Sequence, residues 1–114
     1  MSNKVIVTPN FKKEAKPLLK KYPSLKSELL ILEQQLIQHP QTGAPLGNNA
    51  YKIRIAVKSK GKGKSGGMRL ITYVEVSISA EGDKDIFLLS IYDKSEVSSI
   101  SKKEIAQLIQ ERRN

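Results

Sequence analysis

Apolar side chains recur along this chain with two different periods, and the change between them divides it into a helical part and a strand part. Residues 4–8 (KVIVT) form a short β-branched run that predicts a strand. Thr8 followed by Pro9 is a helix-start signal, an N-cap oxygen and then a residue whose missing N–H costs nothing at the first helical position. Phe11, Ala15, Leu18 and Tyr22 then recur at helical spacing and predict an amphipathic helix over 9–21. Pro17 lies inside it and predicts a kink or a break near Ala15–Lys16. Ser24 is placed to cap a second helix, in which Leu25, Leu29, Leu32 and Leu36 make the apolar stripe and Leu30, Ile31 and Ile37 widen it. Pro40 ends that helix, and Gly43, Pro45 and Gly47 mark a loop.

From Tyr51 the period becomes two. Tyr51, Ile53, Ile55 and Val57 share one face of a strand, and Lys52, Arg54, Ala56 and Lys58 the other, so one face is core and one is cationic. A glycine-rich loop (59–67, SKGKGKSGG) leads to a second strand over 68–79, with Met68, Leu70, Thr72, Val74, Val76 and Ile78 on one side and Arg69, Ile71, Tyr73 and Glu75 on the other. A turn at Glu81–Gly82–Asp83 opens a strand over 85–92 that is apolar on both faces and therefore interior to the sheet. Ser101 and Glu104 have capping-box spacing before a last helix with Ile105, Leu108 and Ile109 inward and Arg112 and Arg113 at its C-terminal end. The expected fold is α+β, in the order β-α-α-β-β-β-α: a small antiparallel sheet with a helical hairpin packed on it and its helices mainly on one face.

Composition narrows the function. At 114 residues and 39% hydrophobic, the chain suits one domain over 1–114 with a modest core. The absence of cysteine excludes disulfides and thiolate metal sites, and with His39 the single histidine no metal or other cofactor is expected. Apolar stretches reach only four residues and the N-terminus lacks a secretory signal, so a membrane partner is not expected and the cytoplasm is the expected location.

The formal charge of +9 is unevenly spread. Residues 1–26 carry seven lysines and one acid, and residues 50–74 carry seven basic residues and no acid. Lys52, Arg54, Lys58, Lys60, Lys62, Lys64 and Arg69 repel one another, and a phosphate-bearing partner is the usual compensation; the plainer alternative is a solvated loop. The loop is no phosphate-binding motif of the Walker type, since Lys58 stands where its first glycine is needed and a strand follows in place of a helix. Glu75 has no acidic partner on its strand face, Glu81, Asp83 and Asp85 read as solvated turn residues, and His39 as a surface cation at a helix end. Arg69 stands apart, because it follows Gly66–Gly67, opens an otherwise apolar strand, and can hold a phosphate bidentately. Tyr73 and Tyr92 are either core residues or contacts to a phosphate or base.

The run K-I-R, a lysine-rich loop, G-K-S-G-G-x-R-L-I, and I-Y-D-K-S-E before I-S-x-x-E-I resembles the RelE/HigB branch of the RelE/ParE toxin superfamily over nearly the whole chain. The resemblance implies a bacterial toxin that cleaves mRNA in the ribosomal decoding site and is neutralised by a cognate antitoxin. Lys52 and Arg54 match the family's basic pair, Arg69 the arginine that braces the scissile phosphate, and Lys94 falls in the C-terminal active-site segment. Ser98 stands where strongly cleaving relatives carry tyrosine, with Tyr92 and Tyr73 the nearest substitutes.

The mechanism so implied is metal-free: a base takes a ribose 2′-hydroxyl proton, the oxygen attacks the adjacent phosphate to give a 2′,3′-cyclic phosphate, and cations stabilise the transition state. Lys52, beside other cations that favour its neutral form, is the candidate base, with Tyr92 also placed in the catalytic set. Lys58, Lys60, Lys62, Lys64 and Tyr73 would bind RNA. The alternatives are a non-cleaving poison of the ribosome or of DNA gyrase, and a degenerate basic RNA-binding domain.

Overall fold

The computed structural model describes residues 3–61, 67–79 and 81–113. The elements run β1 (Lys4–Val7), α1 (Pro9–Lys21), α2 (Leu25–Gln38), β2 (Ala44–Gly47), β3 (Ala50–Ile55), a 3-10 turn (Lys58–Lys60), β4 (Met68–Val76), β5 (Lys84–Asp93) and α3 (Lys102–Gln110). The α+β class is as expected. The sheet has five strands in the order β1-β5-β4-β3-β2, and it is mixed: β1 lies parallel to β5 while the other pairings are antiparallel. Among the described residues no helix is long and apolar enough to cross a membrane.

The added strand, β2, comes from the segment read as a loop. Its sequence APLG carries a proline, which an edge strand tolerates because the missing N–H is not needed by a further neighbour. Asn48 and Asn49, both with positive φ (53° and 63°), make the two-residue turn into β3, a conformation that asparagine accepts more readily than most residues and that matches strand twist.

Helices cover both faces of the sheet. Phe11 and Ala15 from α1 and Leu25, Leu32 and Leu36 from α2 close one core against Ile53, Ile55, Met68, Leu70, Val74, Ile86, Leu88 and Ile91. On the other face Ile105 of α3 packs with Ile71, Phe87, Leu89 and Tyr92, a second core that the expectation of helices mainly on one face understated. On α2 the stripe is narrower than its sequence suggests, since Leu30 and Ile31 point to solvent at 54% and 61% exposure.

Three local expectations meet different outcomes. Thr8 caps α1, accepting from Phe11 N at 3.2 Å. The helix continues unbroken across Pro17, which lies on the exposed side where water can satisfy the carbonyl that loses its partner. Ser24 does not cap α2; its backbone is already helical and its hydroxyl is spent on Glu28 Oε1 (3.1 Å) and on Ser59 N (2.9 Å), which fastens the 3-10 turn to the helical hairpin. The capping box of Ser101 and Glu104 on α3 is complete.

The alternation of β5 is interrupted. Ile71 of β4 faces Ser90 and Thr72 faces Leu88, so Leu89 is an extra residue in β5. Such a bulge resets which face each later side chain takes. Leu88 therefore joins the hairpin-side core, while Tyr92, four residues on, joins the α3 side.

The bulge lies just past the end of β1, whose pairing stops at Val7↔Leu88, and α1 takes over the exposed strand edge. Thr8 Oγ1 donates to Leu88 O (2.8 Å) and Asn10 Nδ2 to Leu89 O (2.9 Å). Glu14 Oε1 accepts from Ser90 Oγ (2.7 Å), Asn10 Nδ2 (2.9 Å) and Ile91 N (3.3 Å). Glu14→Ala is expected to lower unfolding free energy by about 2 kcal/mol through the donors it leaves unpaired. Urea denaturation measures that loss, and a change below the error of the fit would show that the latch is dispensable.

Candidate functional site

Strand register brings the sequence-selected cations into two adjacent rows on the α3 side of the sheet. Arg54 of β3 faces Arg69 of β4, which faces Tyr92 of β5. Directly opposed residues share a face, so these three side chains form one row. In the next row Lys52 faces Ile71, which faces Ser90. Lys52 and Tyr92 also line one pocket of about 340 Å³ together with Ile71, Ile100 and Lys102, its rim formed by β2 and the start of α3.

Arg54 is exposed, whereas Arg69 is buried at 4% exposure and donates from Nη1 to the carbonyl of Met68 at 3.2 Å. The sequence presents Arg69 as an arginine opening a strand beside a loop; the structure seats it among the strands. Tyr92 is 7% exposed, and burial raises its phenol above the usual tyrosine value while the nearby Arg69 charge pulls the other way. Tyr92 therefore carries its proton at neutral pH. Lys94 follows directly on β5, with its side chain exposed and its N–H donating to Gly67 O at 3.1 Å.

The other selected residues lie elsewhere. Tyr73 is on the same face as Arg69 but four residues along β4, roughly 13 Å away at 3.3 Å per residue. It sits against Phe87 (centroids 6.2 Å apart) with the Arg112 guanidinium 5.1 Å over its ring. Arg112 and Arg113 do more than favour a helix end: both grip Glu75, at 2.8 and 2.6 Å, and tie the end of α3 to β4. Asp85, read as a turn residue, is buried on β5 at 4% exposure. His39 is exposed at the end of α2. Lys58 is exposed, its backbone N–H donating to Glu28 Oε2 at 2.8 Å. Lys62 and Lys64 lie outside the described residues.

Lys60 is the largest surprise among the loop lysines. Its side chain is only 7% exposed and its Nζ lies 3.2 Å from Asp93 Oδ1 in an ion pair. Asp93 also accepts from Tyr22 OH (3.1 Å), Ser95 N (2.9 Å) and Ser95 Oγ (2.7 Å). Burial opposes its ionisation, but the Ser95 bonds, the Lys60 ammonium and Tyr22 outweigh that and hold the carboxyl down at about 2. The pair joins the start of the lysine-rich segment to the end of β5, while Gly67 joins its far end to Lys94. Sequence reading passed over Asp93 as one letter of a motif. The available signal was an acid ending an apolar strand, a place where a cation is required.

Cations from β3 and β4 and a protonated tyrosine from β5 thus share one sheet face, with α3 beside them. Residues 3–111 match the family described as the RelE toxin of the RelE/RelB toxin–antitoxin system, and the chain belongs to that family. It is the toxin component of a toxin–antitoxin pair, and an antitoxin is its cognate partner.

The folded-state value of Asp93 is below that of an unfolded carboxyl near 3.9, so its ionisation stabilises the fold above pH 4 and that contribution disappears as pH falls toward 2. Asp93→Asn is expected to lower stability at pH 7 by about 3 kcal/mol, because Lys60 keeps its charge without a partner. The deficit should shrink between pH 4 and 2 in paired urea melts; a constant deficit over that range contradicts the ionic origin.

Proposed function

We propose that this toxin is a HigB-like, ribosome-dependent mRNA endoribonuclease of the bacterial cytoplasm. The observation that carries the reading is the row Arg54–Arg69–Tyr92 with Lys52 beside it. That arrangement sets two arginines, a lysine and one phenol donor in two adjacent rows of one sheet face. Lys52 is the group assigned to taking the 2′-hydroxyl proton. The freed oxygen attacks phosphorus, the bond from phosphorus to the 5′-oxygen breaks, and the leaving oxygen takes a proton from solvent, giving a 2′,3′-cyclic phosphate and a new 5′-hydroxyl end. Charge accumulates on the equatorial phosphate oxygens during that step, and preorganised donors near it need no reorganisation as it forms.

Each side chain then has a distinct task. Arg54, exposed, makes the direct ion pair with phosphate; Arg69, buried, supplies positive potential from beneath, in surroundings where charge is poorly screened. Tyr92 donates a hydrogen bond to phosphate or to the leaving oxygen. Lys94 completes the cationic rim, and Lys58 attracts RNA by charge alone.

The test is translation of a defined message in vitro with mapping of new 5′ ends. Arg69→Ala is expected to reduce cleavage by about 10²–10³-fold, the usual cost of removing one transition-state donor. Arg69→Lys, which keeps the charge and the packing volume, should recover part of it. Lys58→Ala should change cleavage only a few-fold. A folded Arg69→Ala variant with full cleavage removes this mechanism, and a wild-type toxin that leaves mRNA intact while triggering a DNA-damage response assigns the chain to the gyrase poisons instead.

A further inference from the structure

The α3 side of the sheet continues past the candidate site. Two residues beyond the row of Lys52 and Ile71, Ala50 of β3 faces Tyr73 of β4, which faces Phe87 of β5. Here α3 does not close on the sheet. A second cavity, of about 360 Å³, opens between α3 and the turn that joins β2 to β3, with Leu46, Asn48, Tyr73, Lys102, Ile105 and Ile109 in its walls. Leu46, Lys102 and Ile105 also line the pocket that holds Lys52 and Tyr92, so the two cavities form one groove that runs from the cations to Tyr73.

Local structure accounts for the gap. Lys102, Ile105, Ala106 and Ile109 recur at the three- and four-residue spacing of one helix face. Ile105 is buried against the sheet, while Ala106 beside it is exposed and too small to fill the space. Opposite, Pro45 pairs with Tyr51 and Gly47 with Ala50, so Leu46 is skipped in the ladder, and it packs on the α3-side core. The polar groups of the groove are few and uncommitted: among the described residues neither the Lys102 ammonium, the Tyr73 hydroxyl nor the Asn48 side-chain amide makes a hydrogen bond or an ion pair. The Tyr73 ring is already fixed by Phe87 and by the Arg112 guanidinium 5.1 Å over it, so receiving a ligand needs little further ordering. An apolar cleft with a few convergent polar groups, continuous with cations placed for a phosphate, suits a flat heterocycle carried on a phosphodiester.

We infer that this groove receives the base of the nucleotide on the 5′ side of the cut, with Tyr73, Asn48 and Lys102 as its polar contacts. The inference rests on the cleavage reaction proposed above and adds which side of the bond the protein reads. In that reaction the attacking 2′-hydroxyl belongs to the nucleotide 5′ of the scissile phosphate. Lys52, assigned to its proton, stands between the row of Arg54, Arg69 and Tyr92 and the row of Tyr73, about 7 Å from each at 3.3 Å per residue. The attacking ribose therefore lies on the groove side of the phosphate and directs its base toward Tyr73, while the 3′ nucleotide lies on the other side of the arginine row.

A dinucleotide has a single phosphodiester and hence one register. Three uncleavable probes, each with a 2′-O-methyl group on the 5′ ribose, separate the two sides: an adenine dinucleotide, the same without its 5′ base, and the same without its 3′ base. In titrations followed by NMR the wild type should lose about tenfold in affinity without the 5′ base, the usual contribution of one stacked base, and scarcely change without the 3′ base. The amide signals of Asn48, Ala106 and Ile109 should move with the intact probe and stay in place with the probe that lacks the 5′ base. Ala106→Trp, which fills the groove from an exposed helix position, should bind the intact probe as weakly as the wild type binds the one without its 5′ base. Arg69→Ala should weaken all three probes by the same factor, so failure of the phosphate site and failure of the groove are read separately. The inference is overturned if the loss falls equally on both bases or on the 3′ base, or if the 5′ base keeps its full effect in Ala106→Trp. It is overturned too if that variant binds every probe as the wild type does but no longer binds the purified antitoxin, since the groove would then seat a protein.

Discussion

The arrangement of this protein hangs on one half-buried carboxylate. Glu14 reaches from α1 to the stretch of β5 that β1 is too short to pair, and accepts hydrogen bonds there from Ser90 and Ile91. That stretch holds the extra residue, Leu89, and a bulge survives only where its unpaired backbone groups find other partners. Asn10 and Thr8 serve the carbonyls of Leu89 and Leu88. The consequence is felt several residues along: after the bulge, Tyr92 lies with Arg69 on the α3 side, and Asp93 lies with Met68 toward the helical hairpin. With strict alternation Tyr92 would have joined Leu88 and Ile86, and the row of Arg54, Arg69 and Tyr92 would not exist.

The cations sort into three physical kinds. Arg54, in the row, and Lys94, just past its strand β5, are exposed and can meet a partner directly. Lys60 is withdrawn into an ion pair with Asp93, where truncating either partner leaves a charge out of water. Lys12, Lys13, Lys16 and Lys20 of α1 face solvent on the far side, on a helix whose sole acid is committed elsewhere. A net charge of +9 is therefore no uniform coat. Part of it is internal scaffolding, part belongs to the candidate site, and part is surface whose mutual repulsion lowers the stability of α1.

The ends of the lysine-rich segment show how these kinds depend on each other. Lys60 is held by Asp93, and Gly67 by the backbone of Lys94, so both ends meet the last residues of β5. Tyr22, from the junction of α1 and α2, adds a bond to the same Asp93 carboxylate. The helical hairpin, the start of the basic segment and the strand that bears Tyr92 thus converge on one acid.

Helix positions, the change of period at Tyr51, the caps of α1 and α3, the cationic face of β3 and the family likeness were all legible in the sequence, because each depends on neighbours within a few residues. Lys52, Arg54 and Arg69 could be placed on strand faces for the same reason. Three things were not legible: β2, whose proline and glycine read as loop; the Glu14 latch, whose partners are 76 and 77 residues away; and the burial of Lys60, Arg69 and Asp93. By itself the sequence determined the local elements and the amount of charge. Tertiary structure decided which face each charge took and which were buried. A strand's side-chain direction is inherited along its length, and one distant hydrogen-bonded acid at a bulge is enough to invert it.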